Sequence, residues 1–376
     1  MQLKEFLVET WLNPRCPVSK YNLGSSGVQS IAIDELFELA GEDLDAFMKE
    51  VRHMNMHYGY FFGSPRLKNA ISKLYRKQDP ELILTVHGGT GANHMVLAEY
   101  SDPTTNVVSI VPNYQQHYSI PEALGAEVRY VRLKADNNYL PDIKEIAQAV
   151  DSKTSIIALS NPNNPTGSAI KGDMLQQICD IAEKVGAIVL SDEIYRGLHE
   201  DYLPSVVDLY HRGVTTNSMS KVLSMAGTRV GWIATNDHEI YKRLETRRSY
   251  DTICGGIFDE LLAAIAIENA DKIYSRNREI VKKHQKIVQE WLDKQPHLHG
   301  TVMDGSPIAF LNYDYDLTST EFGEALFEKT GTVVCHGDCF DMPRAFRLGF
   351  GYIETSILKE ALQVLGDFMA TLPVKK

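Results

Sequence analysis

Between about residues 80 and 235, short apolar runs alternate with stretches whose apolar positions recur at helical spacing. The runs are LILTVHG, NVVSIVP, AEVRYVRL, TSIIALSNP, AIVLSDE, VTTNSMS and RVGWIAT. Their length and their content of β-branched residues predict strands. Between them NHMVLAEYS, LPDIKEIAQAV and KGDMLQQICDIAEKVG predict helices. This alternation predicts βαβ units and a mostly parallel seven-stranded sheet sandwiched by helices. Sheets of that kind bind ligands beyond the carboxyl ends of their strands, where loops lead into helices.

The pattern then changes. Residues 238–294, from NDHEIYKRLETRR to IVQEWLDKQ, form a long charged helical region. An α+β pattern follows, with SPIAFLNYDY and RAFRLGFGY as strands and STEFGEALFEKTG and ETSILKEALQVLGDFMATL as helices. The chain therefore reads as an α/β protein with a large domain over residues 35–245. Residues 1–34 and 246–376 make a smaller α+β domain, the N-terminal segment packing against the C-terminal part. No internal repeat or low-complexity tract interrupts this order.

Composition narrows the function classes. A chain of 376 residues is long enough for roughly two or three domains. With 44% hydrophobic and 23% charged residues, it can bury a core without disulfide or metal staples. A net charge of −11 argues against a nucleic-acid partner, whose phosphates reward a basic surface. One focused pocket can still be locally positive. No apolar run reaches membrane-spanning length, and MQLKEFLVETW lacks the apolar stretch of a signal peptide. The expectation is a cytoplasmic protein with no membrane contact. Five cysteines, Cys16, Cys179, Cys254, Cys335 and Cys339, read as reduced thiols. Cys335-His336-Gly337-Asp338-Cys339 lacks the second ligand pair of a structural zinc site, so no metal is expected.

The chemistry lies in loops that fall at predicted strand ends. SNPNNPTG, Ser160 to Gly167, follows one strand and by itself reads as a turn. SDEIY places Asp192 and Tyr195 after the next; a lone acidic residue there usually caps a helix. NSMSK places Lys221 at another strand end, and GTRVGW brings Arg229 eight residues later. In this order and spacing the motifs resemble those of the class I/II aminotransferases, the fold-type I enzymes that use pyridoxal phosphate (PLP). The resemblance runs from NLGSSG to FRLGFG, and its most specific part is NPNNPTG, SDEIY and SMSK…GTRVGW.

The resemblance implies a role for each matching residue. Lys221 would carry PLP as a Schiff base and, once freed by the substrate amine, move the substrate α-proton. Asp192 would hold the pyridine nitrogen in its charged form. Asn164 and Tyr195 match the donors to the ring's phenolate oxygen, and Tyr114, in VPNYQQHY, matches the aromatic that stacks on the ring. Thr90, Gly91 and Ala92, in VHGGTGANHMVL, match the phosphate-binding turn at a helix N-terminus. Ser218 and Arg229 match the remaining phosphate ligands. Tyr58 matches a tyrosine that reaches the phosphate of a neighbouring subunit, which implies a homodimer. Arg347 matches the arginine that grips the substrate α-carboxylate, with Arg344 close by and not excluded by spacing. Gly24 matches a small residue beside the substrate, where Asn164 also contributes.

The implied activity is amino transfer from an amino acid to a 2-oxo acid by a ping-pong route. PLP lyases of the β-elimination type and amino-acid cyclases share the same cofactor residues and stay open as alternatives. A PLP-fold protein without turnover is disfavoured by the complete set Asn164, Asp192, Tyr195, Lys221 and Arg229. GGTG lacks the lysine of a nucleotide phosphate loop, which removes a nucleotide-binding reading. His87 and Gly88 stand where relatives often have Ser or Thr. His117, near the expected ring site, reads as a structural histidine. The loop VVCHGDCFDMP, with His336 and Cys339, is expected to border the substrate side chain. Nothing in it names a substrate.

Overall fold

All seven apolar runs form strands of one sheet in the computed structural model, which describes residues 2–375. They are β1 Ile83–His87, β2 Asn106–Val111, β3 Glu127–Arg132, β4 Thr154–Ser160, β5 Ile188–Asp192, β6 Gly213–Ser218 and β7 Val230–Thr235. Their order across the sheet is β1-β7-β6-β5-β4-β2-β3. From β6 through β3 every neighbouring pair is parallel, whereas β7 runs antiparallel to both β1 and β6. The cause is local. Between Ser218 and Val230 the chain forms only one short 3₁₀ turn, Ala226–Thr228, too little for the helical crossover that parallel pairing needs.

Burial follows the same logic. β2, β5, β6 and β7 are buried along their whole length, as continuous apolar strands between two helical layers should be. The edge strand β3 carries exposed charged positions instead, which protects an unpaired edge.

The charged helical region after β7 forms three helices: His238–Asp251, Ile257–Glu268 and Ala270–Leu292. The sequence supplies the breaks, with Gly255-Gly256 before the second helix and Asn269 between the second and third. The third buries Ile273, Val281, Val288 and Leu292, a helical stripe that explains its length.

Downstream, β8 Leu298–His299, β9 Ile308–Tyr313, β10 Cys335–His336 and β11 Ala345–Gly349 form an antiparallel sheet in the order β10-β11-β9-β8. Helix Ser319–Thr330 covers it through Phe322, whose ring stacks on Phe346 of β11 at 5.2 Å. Thr318 and Glu321 close the start of that helix as a reciprocal cap.

The N-terminal segment packs against this part. Tyr21–Asn22 pairs in parallel with Thr332–Val333, and the Trp11 indole donates to the Val334 carbonyl at 2.7 Å. It also reaches the other sheet's layer, which sequence patterning did not indicate. Leu7 N–H donates to Gln115 Oε1 at 2.9 Å, and Gln115 Nε2 donates back to the Glu5 carbonyl at 2.7 Å. Among the described residues no helix is long and apolar enough to cross a membrane.

One glycine in β7 is required by a close approach. A Cβ on Gly231 would stand 2.4 Å from the Gly88 carbonyl carbon, where backbone must move to admit it. Gly231→Ala should therefore destabilise the protein by roughly 1–3 kcal/mol, read as a lower denaturant midpoint at unchanged slope. An unchanged midpoint would show that the strand and the Gly88 turn are not held this tightly.

Candidate active site

Asp192 ends β5, in register with Ser160 of β4 on one side and Thr216 of β6 on the other. It is buried, so its carboxylate needs partners. Asn93 Nδ2 donates to Oδ2 at 2.7 Å, and the Ile194 N–H donates to Oδ1 at 3.1 Å. Thr216 Oγ1 in turn donates to Asn93 Oδ1 at 2.6 Å. This chain ties β5, β6 and the helix Gly88–Glu99 into one unit. His117 is fully buried beside it, with Nε2 at 3.8 Å from Asp192 Oδ2 and Nδ1 at 3.2 Å from Asn113 Nδ2. Its Nε2 makes no hydrogen bond among the described residues.

Lys221 follows the end of β6. Its residue surface is only half-buried, but its amine lies deep in a cavity and donates to Ser26 Oγ at 3.1 Å. Burial disfavours the ammonium form, and the neighbouring Arg347 guanidinium adds to that effect; together they bring the amine down to about 8. Arg347, on β11, is almost fully buried. Nη1 donates to Asn164 Oδ1 and Nη2 to the Gly24 carbonyl, both at 2.8 Å, while Nε has no partner among the described residues. Arg344 is exposed and outside the cavity, so geometry separates the two arginines that spacing left open. Burial also raises the Tyr195 phenol.

The glycine-rich turn sits at the end of β1. Gly88 has φ +69°, and a Cβ there would lie 2.5 Å from Arg229 Nη2. Glycine at this position thus serves both the backbone conformation and the close approach of Arg229. The departure noted as His87-Gly88 has this physical reason. Arg229 itself occupies the left-handed region, φ 53°, a strained conformation for a side-chain-bearing residue.

A cavity of about 740 Å³ gathers these groups. Gly24, Thr90, Tyr114, Asn164, Asp192, Tyr195, Lys221, Arg229 and Arg347 all line it. Four expected residues do not. Gly91 and Ala92 lie in the first turn of the helix behind Thr90, and Ser218 is buried behind Gly89. Tyr58 is 70% exposed on the protomer surface. The expected substrate border at His336 and Cys339 is also absent from the lining. Trp11 packs edge-on against His336 at 4.6 Å, and Phe6, Val8, Leu12, Cys16 and Pro17 provide the wall instead. Sequence reading missed Asn93, Ser26 and Glu9, which contact Asp192, Lys221 and Tyr114 respectively. Asn93 stands one helical turn after Thr90, the one signal that could have found it.

A family model described as aminotransferase class I and II matches residues 38–365. The chain belongs to the class I and II aminotransferases. Within that family, it is similar to a solved PLP-dependent aminotransferase from Streptococcus suis, 34% identical, with a TM-score of 0.95 and 100% of each chain covered. Capreomycidine synthase from Streptomyces vinaceus is 25% identical, covering 91% of this chain and 88% of that protein. Aspartate aminotransferase from Pyrococcus abyssi is 27% identical, covering 89% and 88%. Class I and II aminotransferases depend on PLP, and the cavity suits that group. It offers a buried carboxylate, a lysine amine and a helix N-terminus with an arginine beside a glycine turn that a Cβ would fill.

The amine makes a prediction specific to this aminotransferase. Because the depressed value leaves Lys221 protonated below about pH 8 and free above it, PLP capture by cofactor-free protein should accelerate through pH 8 and then level off. Stopped-flow absorbance against pH measures this; a rise continuing towards the range of an ordinary lysine would contradict the desolvated site.

Proposed function

We propose that this aminotransferase binds PLP in the Lys221 cavity and moves an amino group from an amino acid to a 2-oxo acid in two half-reactions. The observation that carries the reading is the convergence of Asp192, Lys221 and Arg347 in one cavity. When bound, PLP supplies an electron sink for the substrate α-carbon.

The residues divide the remaining work. Asp192, oriented by Asn93, keeps the pyridine nitrogen protonated by direct ion pairing. Tyr195 and the Asn164 amide would supply donors to the phenolate oxygen, and Tyr114 would supply an aromatic face to the ring. Thr90, Arg229 and the backbone N–H groups at the start of helix Gly88–Glu99 hold the phosphate. Gly91, Ala92 and Ser218 shape that turn from behind. Lys221 would anchor the cofactor by its amine and, once released, that amine would serve as the base that moves the proton of the substrate α-carbon. Arg347 grips the α-carboxylate with N–H groups that Asn164 and Gly24 leave free, and those two contacts hold the guanidinium plane in position. Gly24 would act beside the substrate through its carbonyl, which holds Arg347, and its missing side chain admits the close approach of Leu12.

The same reading includes a homodimer in which Tyr58 serves the partner's phosphate site. Support comes from Tyr58, Tyr60 and Phe61, three exposed aromatics on one loop, an arrangement that marks an interaction surface.

The visible spectrum tests the proposal. PLP-loaded protein should show an absorbance band that Lys221→Ala abolishes, that an amino acid bleaches, and that a 2-oxo acid restores. Release of pyruvate and ammonia with no dependence on a 2-oxo acid would instead assign elimination. A protein that stays colourless at saturating PLP would overturn the reading.

A further inference from the structure

The charged groups lining the cavity are Lys221, Arg229, Arg347, Asp192 and Glu9. The first four have tasks in the proposed reaction, and both oxygens of Asp192 already accept hydrogen bonds. Glu9 has no such task. It sits in the N-terminal turn Leu7–Leu12, where the Tyr114 hydroxyl donates to Oε1 at 2.7 Å. Its other oxygen accepts no hydrogen bond and its carboxylate makes no ion pair among the described residues. Its charge reaches Lys221, where it opposes the effect of Arg347, and one oxygen stays uncommitted towards the cavity.

Its surroundings state what ligand it would take. Gly24, whose carbonyl holds Arg347, lies against the same N-terminal segment. A Cβ on Gly24 would meet Leu12 Cδ2 at 2.7 Å and Cys16 Sγ at 3.7 Å. Leu12 and Cys16 thus pack directly against Gly24, and with Val8 and Phe6 they form one apolar wall of the cavity that holds Arg347. Methylenes fit such a wall, and a positive head group fits the carboxylate beyond it. We propose that Glu9 reads the substrate side chain and selects amino acids whose side chain ends in a cation. The inference rests on the aminotransferase reading of the cavity and adds the substrate class.

The discrimination follows from desolvation. A neutral side chain of the same length would strip water from Glu9 and return at most a hydrogen bond without the opposite charge, and an acidic one would be repelled. The alternative role for Glu9 is a strap that holds the N-terminal turn on Tyr114. Glu9→Gln separates the two, because the amide oxygen can still accept the tyrosine hydrogen bond while the charge is gone.

L-Arginine and L-citrulline differ little except in charge, as do L-lysine and L-norleucine in their head groups. For PLP-loaded wild-type protein, spectral titration should give tighter apparent binding of the cationic member, and kcat/KM should favour it by at least ~10-fold. In Glu9→Gln both ratios should collapse towards unity. Equal use of both members by wild-type protein, or ratios that Glu9→Gln does not move, would overturn the proposal even while amino acids bleach the cofactor band. Absence of any spectral response to every amino acid would overturn the functional reading beneath it as well, so the two failures are distinguishable.

Discussion

The site depends on how one buried carboxylate is held. Asp192 is kept at the end of β5 by Asn93, and Asn93 is kept by Thr216 of β6. A buried anion without partners would be strongly unfavourable, so these bonds are as much a condition of folding as of function. The backbone ladder between β5 and β6 sets the spacing of the two strand ends, and hence where Lys221 stands after β6. The parallel register does the rest, because it delivers Ser160, Asp192 and Thr216 to the same level of the sheet. Antiparallel β7 then returns Arg229 to the glycine turn after β1.

The second sheet supplies the opposite wall. Arg347 reaches the cavity from β11 and is fixed by one residue from each neighbouring segment, Asn164 after β4 and Gly24 in the N-terminal loop. Its charge acts on Lys221 as well as on any bound carboxylate, and contributes to the lowered value of the amine. A chain with net charge −11 thus builds a cavity with three cationic side chains and two carboxylates. Local focusing, and not global charge, decides what such a cavity can bind.

The seven strands were legible because each is a short run with β-branched residues that alternates with stretches of helical spacing. Asp192, Lys221 and Arg229 were legible because motif order along the chain mirrors strand order at the site. Glu9 and Ser26 were not, since their contacts span 105 and 195 residues and no local period encodes them. Asn93 was hidden inside a helix whose other residues are explained by packing. The loop at His336 misled for the same reason. Its unusual composition suggested a substrate border, but Trp11 covers it and the N-terminal turn takes that place. The helical region after β7 was legible as a whole, and the Gly255-Gly256 pair and Asn269 divide it into three helices.

The central claim is that the Lys221 amine is the attachment point on which the rest of the cavity converges. Borohydride reduction of the PLP-loaded protein, followed by proteolysis and mass mapping, tests it directly. The account predicts a single reduced cofactor adduct on the peptide carrying Lys221. An adduct on another lysine, or a spread over several surface lysines with Lys221 unmodified, would contradict it.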